Sequence, residues 1–161
     1  MSKLSSQIDI NKFFFHGVCN GPSLDDKGVQ RSLLRFDNIL RVGALLSIRQ
    51  QERECGKAFN DACPGRNGLD YISICRPIES VRNAYSSFVS NGLSIILDEE
   101  VVLGLPSRLC RDFLPGEFQI KDKIVKDFFV GVGVGEAFRE NTRKIKTIIK
   151  SNEYNLPIYE I

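Results

Sequence analysis

The chain has one histidine, His16, which closes the aromatic run Lys12-Phe13-Phe14-Phe15-His16 and is followed at once by Gly17. At a strand end an imidazole can donate a hydrogen bond to a sugar hydroxyl, while the bare backbone of a glycine lets a ligand amide come close. The competing role is structural, since a single backbone carbonyl can satisfy the ring. A carboxylate is the second candidate. Leu114-Pro115-Gly116 turns the chain into Glu117-Phe118-Gln119-Ile120. Strand alternation sends Phe118 and Ile120 to the core and Glu117 to the opposite side, at the mouth of a strand.

Other chemistries find less support. The five cysteines, Cys19, Cys55, Cys63, Cys75 and Cys110, share no CxxC spacing, so they suggest reduced thiols rather than a disulfide framework or a zinc site. Cys19 and Cys75 lack a dedicated base apart from His16, which disfavours either as a nucleophile. Ser73 has no nucleophile elbow and no second histidine to build a hydrolase triad. Asp98-Glu99-Glu100 is read as a solvated strand end, and no metal is assigned. Gly131-Val132-Gly133-Val134-Gly135 lacks the third glycine of a dinucleotide fingerprint, because Glu136 stands in its place, and is read as a tightly packed strand end. Arg139, Arg143, Lys144, Lys146 and Lys150 make a basic helix face with no interleaved aromatic residue, which is read as solvated.

These residues need elements to hold them. The aromatic run is the first strand, and Cys19 to Gln30 has loop composition. Leu33, Phe36, Ile39 and Leu40 recur at helical spacing, with Gly43 placed to end the helix in a left-handed cap. Gln50 to Gly68 is polar and turn-rich and is expected to be an irregular, solvent-facing insert. Tyr71 to Cys75 alternates as a strand, stopped by Pro77, and Ser80 can cap a short helix carrying Val81, Tyr85 and Phe88. Leu93 to Leu97 is a further strand, and Phe128 to Val134 another, laced with glycine. Glu136 to Lys150 carries Phe138, Ile145, Ile148 and Ile149 on one helical stripe. No repeat or linker divides the chain, so residues 1–161 are read as one α+β domain.

Composition agrees with a single core: 161 residues, 42% of them hydrophobic. A net charge of +2, from 22 basic and 20 acidic residues, does not by itself imply a nucleic-acid partner. No stretch approaches the length of a membrane span, and residues 1–10 lack an apolar signal segment. The expectation is a cytoplasmic protein, or one delivered into a host cytosol without a cleaved signal peptide.

Three blocks, in this order, carry a family resemblance. "FFFHG" resembles the first core strand of the His-Tyr-Glu class of ADP-ribosyltransferases, the group of diphtheria toxin and the poly(ADP-ribose) polymerases. "LDYISICRP" with "ESVRNAY" resembles the second block, and "PGEFQI" the third, across approximately residues 12 to 134. The resemblance implies a split antiparallel β-sheet with flanking helices and a C-terminal helix. It also implies NAD as substrate. His16 would bind a ribose hydroxyl, and Gly17 would offer its N–H and C=O to the carboxamide. Tyr71 and Tyr85 would sandwich the nicotinamide, with Ser73 beside them in the cofactor site. Glu117 would hold the 2′-hydroxyl of the nicotinamide ribose and stabilise its oxocarbenium-like transition state, so that Glu117, His16 and Tyr71 form the catalytic set.

Two departures matter. Arg82 stands three residues before Tyr85, where a serine is common, and Pro115 stands two before Glu117, where arginine-modifying members carry a second acid or amide. The implied activity is mono-ADP-ribosylation of a protein acceptor by a bacterial toxin or effector. The alternatives are a non-catalytic NAD, ADP-ribose or protein-binding module, NAD-dependent modification of nucleic acid, and RNA 2′-phosphate removal. The last would need an arginine cluster for which Arg108 and Arg111 are the nearest candidates in sequence.

Overall fold

A computed structural model describes residues 2–3, 10–18, 24–58, 69–76, 89–109 and 117–161. In chain order its strands are β1 (Ser2–Lys3), β2 (Phe14–Gly17), β3 (Ala44–Leu46), β4 (Tyr71–Cys75), β5 (Leu93–Leu97), β6 (Ser107–Leu109), β7 (Glu117–Lys121), β8 (Lys123–Val125), β9 (Phe129–Val134) and β10 (Ile158–Glu160). The helices are α1 (Asp26–Val42), α2 (Ile48–Cys55), α3 (Glu100–Gly104) and α4 (Thr142–Ser151). Eight strands form one sheet in the order β1-β10-β9-β5-β2-β4-β7-β6, and β3 pairs with β8 in a separate ribbon. Pairings from β9 to β6 are antiparallel, whereas β10 joins β9, and β1 joins β10, in parallel. The architecture is α+β, with a mainly antiparallel sheet and flanking helices.

Strand β5 explains why both faces of the sheet are covered. All five of its residues are buried, so alternation sends Leu93, Ile95 and Leu97 one way and Ser94 and Ile96 the other. The first face meets Phe14, Ile72, Ile74, Ile120 and Val132 and is roofed by α1 and α4 through Leu33, Phe36, Leu40, Ile145 and Ile149. The second gathers Phe15, Cys75, Val89 and Ile96 into a smaller cluster.

Helix α1 follows the expected pattern. The Asp25 side chain accepts the Gly28 N–H at 2.7 Å, and Gly43 ends the helix at φ 75°. Phe36 lies at the middle of its buried stripe, so Phe36→Ala would cost about 3–5 kcal/mol in lost burial and cavity formation.

The polar segment from Gln50 is not irregular throughout. It begins inside α2, where the Ser47 hydroxyl accepts the Gln50 N–H, Gly56 closes the helix at φ 74°, and buried Gln51 donates to the Leu46 carbonyl. Capping and one satisfied buried amide replace the apolar stripe that periodicity looks for. Residues 59–68 lie outside the described residues. The expected helix from Glu136 is likewise two pieces, a 3₁₀ segment (Glu136–Asn141) and then α4.

One glycine beside β9 is required sterically: a Cβ on Gly135 would lie 2.5 Å from the Ser90 carbonyl oxygen, whereas one on Gly133 would meet only the side chains of Ile161 and Ser94. Among the described residues no helix is long and apolar enough to cross a membrane.

Candidate active site

The site is built where two strands part. β2 pairs with β5 along its whole length, from Phe14↔Leu97 to Gly17↔Ser94, but it meets β4 only at Phe15↔Cys75. The Val18 N–H bonds the Leu93 carbonyl at 2.7 Å. Backbone alternation then turns the N–H and C=O of Gly17 away from β5 and towards β4. In a regular ladder Ser73 would pair there with Gly17. Instead His16 Nδ1 donates to the Ser73 carbonyl at 2.8 Å, so the ring takes the acceptor that Gly17 would use and the seam stays open.

That hydrogen bond determines the chemistry of the ring. A carbonyl can only accept, so Nδ1 carries the proton. Burial lowers the His16 pKa from 6.5 to about 4, against the raising effect of the Ser73 bond, and the Arg35 guanidinium adds to the lowering. At neutral pH the ring is therefore uncharged and its Nε2 is an acceptor. The sequence led us to expect His16 to donate to a hydroxyl. The structure reverses the sense, so that a hydroxyl would donate to Nε2.

Ser73 is the hub. Its carbonyl holds His16, and its hydroxyl donates to Glu117 Oε1 in a short hydrogen bond. Strand register explains the contact: Cys75 pairs with Glu117 and Ser73 with Gln119, which puts Tyr71, Ser73, Cys75 and Glu117 on one face of adjacent strands. Glu117 is 4% exposed, and its Oε2 is buried with no hydrogen-bond partner among the described residues. The side of β7 opposite the core is thus buried too, and not an open mouth, because Gln119 on the same face is also buried.

The structure therefore joins His16, Ser73 and Glu117 through hydrogen bonds, with Gly17 lining the same seam and Tyr71 two residues from Ser73 on the Glu117 face. It also shows that His16 enters from the side of the first cluster, since Phe15 before it faces the second. Tyr85, Arg82, Pro115 and Arg111 lie outside the described residues, as does the expected Ser80-capped helix.

Cys75 is no nucleophile in this setting. Its thiol contacts the Phe15 carbonyl at 3.5 Å, and burial, with the Glu117 charge adding to it, raises its pKa far above the usual thiol range. Arg35 on α1 is the charged neighbour that sequence reading missed. Its position one residue before the buried Phe36 was the available signal, but nothing in one sequence ties α1 to His16.

No protein-family model and no curated protein matches the chain. Solved structures do match. DarT from Thermus sp. 2.9 in complex with carba-NAD+ aligns at a TM-score of 0.53 with 13% identity, covering 96% of this chain and 97% of that one. The same protein with NAD+ gives 0.53 and 12%, over 95% and 96%. With ADP-ribosylated ssDNA it gives 0.53 and 13%, over 100% and 97%. The chain has an ADP-ribosyltransferase fold. The alignments span nearly the whole of both chains.

Proposed function

We propose that this ADP-ribosyltransferase-fold chain is a mono-ADP-ribosyltransferase that consumes NAD and transfers ADP-ribose to single-stranded nucleic acid. The observation that carries the reading is the buried Glu117 carboxylate, with one oxygen held by Ser73 and the other unpartnered among the described residues, beside the seam lined by His16 and Gly17. Among the described residues no ion pair holds this carboxylate, and the desolvation cost of burying it is understandable where a positive charge is to develop.

The roles follow the His-Tyr-Glu pattern. Gly17 offers its N–H and C=O to the nicotinamide carboxamide, and His16 Nε2 accepts from a ribose hydroxyl. Tyr71, with Tyr85, stacks on the cationic pyridinium. The Arg35 charge near His16 suits the diphosphate. Glu117 Oε2 accepts from the 2′-hydroxyl of the nicotinamide ribose. As the glycosidic C–N bond breaks, nicotinamide leaves with the electron pair and the carboxylate faces the oxocarbenium-like carbon. An acceptor heteroatom then bonds that carbon and gives up its proton. Ser73 holds the carboxylate in register.

The acceptor reading moves away from the protein expected from sequence. A structure of this fold at a TM-score of 0.53 contains ADP-ribosylated ssDNA, which supports a nucleic-acid acceptor, whereas nothing found supports a protein. A toxin or effector role in a reducing cytosol fits the free thiols of Cys55 and Cys75.

The test is incubation with labelled NAD, a mixed-sequence single-stranded oligonucleotide and a protein extract, for the parent and Glu117→Ala. The expected result is nicotinamide release with label on the oligonucleotide, both lost in the variant. Label on protein would refute the acceptor, and equal nicotinamide release by both proteins would refute the catalytic role.

A further inference from the structure

The basic face of α4 has a feature that the linear sequence conceals. After Ser151 the chain turns at Asn152 and Glu153, where Glu153 takes φ 63°, and runs back as residues 154–157 before entering β10. That reversal lets Tyr154, Asn155 and Pro157 line, with Lys146 and Lys150, an open groove with a volume of about 490 Å³. A nucleotide-sized guest fits such a volume.

Helix α4 contains no acidic residue. Among the described residues neither Lys146 nor Lys150 is in an ion pair, whereas Arg139, at the near end of the face, is paired with Glu160 at 3.0 Å. Lys126 is not one of the lining residues, but its ammonium lies 6.0 Å from the centre of the Tyr154 ring. The groove thus combines uncompensated cations with a partly buried aromatic ring and an exposed side-chain amide. Solvation alone would account for lysines on a helix face. It does not account for their closing around a recess with an aromatic wall.

We infer that this groove is a second contact site for the acceptor, taking a phosphodiester and an adjacent base of single-stranded nucleic acid. The inference rests on the nucleic-acid reading proposed above. An acidic peptide would satisfy the lysines but would leave the recess and the Tyr154 ring unused. Single strands bind through both at once, a basic track for the backbone and aromatic faces for the bases. Five strand spacings, about 24 Å, separate β10 from β7 across the sheet, and the groove lies on the α4 side whereas Glu117 faces the other side. An oligonucleotide of only a few residues that occupies the active site would therefore not reach the groove, and a longer one would.

The test is fluorescence anisotropy with a labelled single-stranded DNA 16-mer and a 4-mer, for the parent and Lys146→Ala/Lys150→Ala, over a salt series. Nicotinamide release from NAD alone is followed in parallel. Loss of two phosphate contacts is expected to weaken 16-mer binding on the order of tenfold and to lower the salt slope by about 1.4. Melting temperature and nicotinamide release should stay unchanged, and the 4-mer, which cannot span both sites, should bind the parent more weakly than the 16-mer does. A 16-mer affinity and salt slope equal to the parent's would overturn the groove while leaving the acceptor reading intact. Failure of the parent to bind or label any single strand, with NAD still cleaved, would overturn both. Displacement of the 16-mer by an equally charged polyglutamate at the same concentration would overturn the nucleic-acid assignment in favour of an acidic protein partner.

Discussion

Replacing Glu117 by Gln isolates charge from shape. The amide occupies the same volume, and the Ser73 hydroxyl can still hydrogen-bond the atom that replaces Oε1. What disappears is a buried negative charge whose second oxygen has no partner among the described residues. A unit charge about 4 Å from a developing positive charge, at an effective dielectric near 20, contributes about 4 kcal/mol. The transition-state ribose carries less than a full charge, so about 3–4 kcal/mol is the expected loss, which is on the order of 10²- to 10³-fold in turnover. Removing a desolvated charge does not harm the fold, so the melting temperature should hold or rise. The assay is nicotinamide release under saturating NAD, with NAD affinity measured separately by calorimetry. Turnover within threefold of the parent, at equal stability, would falsify the electrostatic role.

His16 makes a pH prediction. Its folded pKa of about 4 lies below the ordinary 6.5, so the unfolded chain binds the proton more readily. Its stabilising contribution is present above pH 6.5 and is lost as pH falls from 6.5 towards 4, up to about 3 kcal/mol. Urea midpoints of the parent and His16→Gln should converge across that window, and parallel curves would refute the assignment. Ser73→Ala removes the hydrogen bond that the Ser73 hydroxyl donates to the Glu117 side chain, so it should lower stability by about 1–3 kcal/mol and reduce turnover without changing NAD affinity more than a few-fold. The measurements are chemical denaturation and a kcat-against-KM split. Gly135→Ala forces a Cβ against the backbone of Ser90 and Asn91, so a loss of about 1–3 kcal/mol in thermal unfolding is expected, against little effect at Gly56, where nothing lies within 4 Å, beyond the strain of its positive φ.

Much of the frame was legible because it depends on local rules. The stripe of Leu33, Phe36 and Leu40 ending at Gly43, the alternation of Tyr71 to Cys75 and the unbroken run of β5 each express a periodicity that one segment carries alone. Helix α2 was missed because its stability comes from the Ser47 cap and the Gln51 hydrogen bond, and not from an apolar stripe. Strands β3, β8 and β10 have three residues each, too few to show a period, and are recognisable only by their partners. The candidate site divides in the same way. His16, Gly17, Ser73 and Glu117 were nameable from their types and neighbours. That Ser73 bonds both His16 and Glu117 was not, since it depends on the register of β4 against β2 and β7.

Residue type and spacing alone thus determined which side chains were available for chemistry and which elements carried them, because propensity and periodicity act over a few residues. Only the tertiary structure decided the rest: the direction of the His16 hydrogen bond, the burial of Glu117, the nearness of Arg35, and the closing of Tyr154 against Lys146 and Lys150. The first three arise between segments far apart in the chain, and the fourth from the reversal that follows α4. Their energy comes from strand register and helix packing that exist only once the core has formed.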